Sequence, residues 1–119
     1  DVVETLKLPY SPCAFLVADQ SAVWSAGGAC ADHVGRIDIR TKTLTASVAE
    51  PHAVGLALAF GSLWAAVIDS ANLDRIDPHS GRLVARLHVG GTPVRVGVGF
   101  GSIWVDDDNG RVLRIRPAR

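Results

Sequence analysis

The side chains able to carry chemistry here are few, and they fall in loops. His52, next to Pro51, can act as a general base or a ligand. With no partner identified beside it, it also reads as an ordinary loop histidine. The run Asp106-Asp107-Asp108-Asn109-Gly110 sets several oxygen donors on one loop, which suits a hard cation such as Ca²⁺ or Mg²⁺. The competing reading is a plain turn, because Asp, Asn and Gly are what turns prefer, and no EF-hand spacing is present. Cys13 and Cys30 are the only cysteines, too few for a metal site without further ligands at suitable spacing. Gly97-Val98-Gly99 continues a strand and opens no helix, so it is no phosphate loop, and no serine-nucleophile signature occurs.

The elements that must position these residues follow from a repeat. Gly61-Ser62-Leu63-Trp64 returns as Gly101-Ser102-Ile103-Trp104 and, altered, as Ser21-Ala22-Val23-Trp24, so tryptophan recurs every 40 residues. Arg36-Ile37-Asp38, Arg75-Ile76-Asp77 and Arg114-Ile115-Arg116 keep nearly the same step. A period near 40 with short strands is the mark of propeller blades. Within the middle copy, residues 54–60, 63–67, 73–77 and 82–89 read as strands A to D of a four-stranded antiparallel meander, numbered from the axis outward. Strict periodicity makes Trp24, Trp64 and Trp104 blade-packing residues, and gives the recurring arginines a structural role.

The full order predicted is D-ABCD-ABCD-ABC, an all-β partial propeller with repeats at 10–49, 50–89 and 90–119. Residues 1–9, alternating like 83–89, supply a closing strand D. Gly61-Ser62 is expected to form a type II′ turn. The register that follows sets Asp108 opposite Arg95 as an ion pair and Cys13 opposite Cys30, within disulfide reach. A longer loop over 19–22 would shift that register and leave two free buried thiols. An intact bridge implies an oxidising, extracytoplasmic compartment, periplasmic or secreted.

Ligands of propellers gather on the face carrying the D-to-A and B-to-C connections. That rim is expected to include Tyr10, His52, Asp69, Asn72 and Arg95 as ligand-binding residues, with Asp106, Asp107 and Asp108 as the possible metal group. Three blades cannot close a ring, since rings need about 4 to 8. A bare face of on the order of 500 Å² would forgo roughly 12 kcal/mol of burial at about 25 cal/mol per Å². The sequence therefore predicts either a second copy completing a six-bladed ring or the remainder of a longer propeller. The absence of an initiator methionine leaves open a processed or fragmentary start.

Twelve acids balance twelve bases, which argues against nucleic acid as a partner. No apolar run approaches the roughly 18 to 20 residues of a membrane helix, so no membrane insertion is expected. A protein or a small ligand remains as the class of partner.

Gly90-Gly91-Thr92-Pro93-Val94, Gly101-Ser102-Ile103-Trp104-Val105 and Arg75-Ile76-Asp77-Pro78 together resemble the repeat of the YVTN/virginiamycin B lyase-like bacterial β-propellers, in the wider NHL group. The resemblance spans essentially the whole chain, but its motifs specify blades. It implies an extracytoplasmic binding or scaffold module. Alternatively it implies a metal-assisted lyase or hydrolase using a histidine, a glutamate and magnesium. Pro51-His52 is similar to a Pro-His of that lyase, while its catalytic glutamate has no assigned counterpart here. A third reading is a part of a propeller with no activity of its own.

Overall fold

The computed structural model describes residues 1–117; positions 118 and 119 of the third repeat lie outside the described residues. Among the described residues eleven strands form three antiparallel sheets, each pairing its strands in chain order. The first sheet holds β1 (Leu16–Ala18), β2 (Ala22–Ala26), β3 (His33–Asp38) and β4 (Thr43–Ala49). The second holds β5 (Ala53–Ala59), β6 (Ser62–Val67), β7 (Asn72–Ile76) and β8 (Leu83–His88). The third holds β9 (Pro93–Gly99), β10 (Ser102–Asp107) and β11 (Arg111–Ile115). The chain is a run of propeller blades, as the 40-residue period requires.

Composition explains which strand lies where. Every residue of β6 is buried, matching its unbroken small and apolar sequence, whereas β8 alternates between exposed and half-buried as an outer strand should. The innermost strands of adjacent blades come closest at Gly55, where an added Cβ would run into the Val94 carbonyl oxygen on β9. Only glycine lets the two backbones meet there.

Two seams make up the core. In one, Trp24, Val34 and Val48 of the first blade meet Leu56, Leu63, Val67 and Ile76 of the second. In the other, Trp64 and Leu73 of the second blade meet Ile103 and Val105 of the third. Each tryptophan thus faces the blade that follows it, and Trp24 and Trp64 are 1% exposed. Trp104, the third in the series, is only half-buried, because no blade follows it among the described residues.

One expectation is corrected. Gly61-Ser62 does not form the hairpin turn; Phe60 and Gly61 do, both left-handed at φ 54° and 71°, as do Phe100 and Gly101 at 54° and 69°. That is the type I′ pattern, whose twist suits the flanking strands. The reason lies in the capping: Trp64 Nε1 donates to the Ala59 carbonyl at 3.0 Å, and Arg75 donates to the Phe60 carbonyl at 3.2 Å and to Ser62 Oγ at 2.7 Å. Ser62 is thus needed in the strand. Between the turns and the bulges near Ala53 and Asp107, the A–B pairs slide by two positions, so Trp64 opposes Ala57 and each side chain there keeps its face.

Residues 1–8 form no strand within the chain, and β11 remains an edge strand of its sheet. They stay largely exposed, with Glu4 paired to Lys42 at 2.6 Å.

The Cys13–Cys30 disulfide does form, with Cα atoms 5.9 Å apart. Its basis differs from the expected register: the first blade also pairs two positions off, with Leu16 opposite Ser25. The turn in which the Cys30 amide donates to the Gly27 carbonyl at 2.9 Å brings the second cysteine back.

Truncating Trp64 empties the middle of a seam. Trp64→Ala is expected to cost about 3 to 5 kcal/mol, read as a lowered urea midpoint.

Candidate functional site

On the face where blades connect, Glu50-Pro51-His52 links β4 to β5, and residues 68–71 link β6 to β7. The His52 carbonyl accepts the Ile68 amide at 3.2 Å, tying the two loops together. His52 itself is left-handed at φ 61°, which turns its ring toward the neighbouring loop. Its Nδ1 lies 3.0 Å from Asp69 Oδ2, and both side chains stay substantially exposed. Sequence reasoning put both residues on this rim; the structure makes them a pair.

Behind the pair sits a buried acid that the sequence did not reveal. Glu50 is 3% exposed and Asp74, on β7, is 0% exposed. Arg86 on β8 clasps Asp74 with a two-pronged contact, Nε to Oδ1 at 2.8 Å and Nη2 to Oδ2 at 2.9 Å. The Glu50 carboxyl is hydrogen-bonded to the Asp74 side chain. Burial, and then the hydrogen bond and charge of Asp74, push Glu50 up to about 8, against a smaller opposing pull from Arg86. Glu50 therefore keeps its proton near neutrality, beside the carboxylate that Arg86 holds. A signal was present in the sequence: Asp74 falls in phase with Ile76, on the face of β7 that turns inward.

Glu50, His52, Asp69, Ser70 and Arg86 border a cleft of about 230 Å³. It offers a neutral carboxyl as proton donor, an imidazole held by a carboxylate, and one arginine. That set can hold a polar ligand, and it can move a proton.

The other expected rim residues do not line this cleft. Tyr10 packs on the front of the first blade, its hydroxyl donating to the Ser25 carbonyl at 3.1 Å and its ring edge-on to His33 at 4.7 Å. Burial raises its pKa. Asn72 Oδ1 meets His88 Nδ1 at 3.2 Å between β7 and β8.

The acidic run is divided. Arg95 pairs with Asp106 at 3.2 Å, not with Asp108, as the two-position slide requires. Asp107 takes Arg111 Nε at 2.8 Å and the Asn109 amide at 2.6 Å. Burial alone would raise Asp107, but these donors outweigh it and hold the carboxyl below its ordinary value. Asp108 is exposed, and its amide donates to the Thr92 carbonyl at 3.2 Å. Among the described residues no three His, Cys, Asp or Glu side chains converge as metal ligands. The donors present do not fit the bound magnesium that the lyase resemblance implies.

Glu50 makes stability depend on pH. The folded protein keeps this proton to about pH 8, whereas the unfolded chain releases it near its ordinary 4.5. The folded state binds more protons in between, so stability falls as pH rises from about 4.5 to 8 and then levels. Glu50→Gln keeps a neutral side chain and should flatten that slope by on the order of 1 to 3 kcal/mol, measured as urea midpoints across the window.

No family model matches the sequence, and no curated protein does. Solved structures do match in shape. Hydrazine synthase of Kuenenia stuttgartiensis superposes with a TM-score of 0.70 at 17% identity, over 98% of this chain and 38% of that one. The WD40 β-propeller domain of Doa1 gives 0.67 at 16% identity, over 82% and 33%. A streptogramin B lyase gives 0.62 at 12% identity, over 86% and 39%. The chain thus spans about a third to two fifths of these three chains. At these identities the likeness is one of fold, and that fold is the β-propeller.

Proposed function

We propose that this chain is a binding or scaffold module of the YVTN-like propeller type, working outside the cytoplasm as one half of a six-bladed ring. Two copies close the ring, and the loop-lined face takes a protein or small ligand. The observation that carries the reading is Trp104. Its counterparts Trp24 and Trp64 are sealed by the next blade, whereas it waits half-buried beside the free edge of β11. Residues 2–8 of a second copy have the alternation that such an edge needs, and they remain unpaired within their own chain. The Cys13–Cys30 bridge supports an oxidising compartment.

A second reading, acid–base catalysis in the rim cleft, is favoured by one arrangement. Glu50 stays protonated near neutrality and borders the same cleft as the His52–Asp69 pair.

Native mass spectrometry without reductant tests the assembly. The expected species has twice the chain mass of 12.5 kDa. A folded monomer at every concentration would overturn it, and so would a ring closed only by further chain from a longer protein.

A further inference from the structure

The second and third blades share one internal lock, and the first blade lacks it. In the second blade Arg75 lies over the Trp64 ring at 4.9 Å and donates to Ser62 Oγ at 2.7 Å, while Trp64 Nε1 donates to the Ala59 carbonyl at 3.0 Å. In the third blade Arg114 lies over Trp104 at 5.1 Å and donates to Ser102 Oγ at 2.8 Å, while Trp104 Nε1 donates to the Gly99 carbonyl at 2.9 Å. In the first blade Ala22 stands where the serine should be. Arg36 turns away and gives Nη1 to Thr45 Oγ1 at 2.8 Å.

The consequence is an open cleft of about 350 Å³ between the first and second blades. Trp24 lines it, a residue 1% exposed. Unlike the other two indoles, its Nε1–H has no acceptor among the described residues. Nor is it sealed in, since no buried side-chain nitrogen or oxygen among them lacks a partner. The N–H therefore opens into the cleft.

The geometry points to a binding site for a small organic carboxylate. Donor capacity is open at the Trp24 N–H, at the rest of the Arg36 guanidinium and at one nitrogen of the His79 ring. The one acid in the lining, Asp19, takes the Ser21 amide at 2.8 Å, the Ser21 hydroxyl at 3.0 Å and the Ala22 amide at 2.9 Å, all three at its Oδ1. Leu58, Ala59 and Pro78 supply an apolar wall for the ligand's body. The volume sits at the small end of the range for small-molecule sites, about 300 to 1,000 Å³. An oxyanion between Arg36 and Trp24 would replace the acceptors that Ser62 Oγ and the Ala59 carbonyl provide in the second blade.

Benzoate is the probe, followed through the three indole N–H signals in nitrogen-15 spectra, with Trp24→Phe assigning the relevant one. A saturable shift of the Trp24 signal alone is expected, with benzyl alcohol at least about tenfold weaker because it carries no charge. Arg36→Met should weaken benzoate by about tenfold or more. Ala22→Ser rebuilds the lock found in the other blades and should abolish binding while the fold is kept. No saturable shift, an equal response to benzyl alcohol, or undiminished binding in both folded variants would overturn the proposal.

Discussion

Everything in this molecule turns on an indole that its own blade cannot cover. A blade is a twisted sheet with two apolar faces, and its tryptophan projects from one of them. Burial of that ring requires the next sheet to present Leu, Ile and Val at the same height, which Leu63 and Ile76 do for Trp24, and Ile103 and Val105 do for Trp64. The 40-residue period is the sequence record of this demand. Changing its phase would bring the wrong face forward, so the strands, the turns and the close approach at Gly55 are all held to it.

The blades could be read from the sequence because packing enforces spacing. Register could not, because it depends on which carbonyls need capping. Phe60 and Gly61 accept left-handed geometry since Trp64 and Arg75 hold the Ala59 and Phe60 carbonyls, a reason invisible to turn propensity. The disulfide shows how a correct pairing can rest on an incomplete reason: the cysteines meet through the turn after Gly27, beyond the regular ladder.

The rim was half legible. His52 and Asp69 belong to connecting loops and were placed by topology, whereas Glu50 and Arg86 reach the site from the end of one blade and the outer strand of the next. A comparison between repeats shows why. Tyr10 and Glu50 stand 40 positions apart, and each inserts at a blade's third strand, Tyr10 over Gly35 and Glu50 against Asp74. Gly35 and Asp74 both precede the Arg-Ile-Asp phrase. The same corner is filled by a phenol in one blade and by a protonated carboxyl in the next. Repeat positions that depart from their counterparts, such as Glu50, Asp74 and Ala22, are where this chain differs from a bare scaffold.

The most direct measurement is the solvent isotope shift of fluorine resonances from protein labelled with fluorotryptophan, recorded in light and heavy water. If more propeller covers the third blade, all three resonances stay put, Trp104 included. A full shift for Trp104 in folded protein, with Trp24 and Trp64 protected, would mean that the indole lives in water and that the ring does not close.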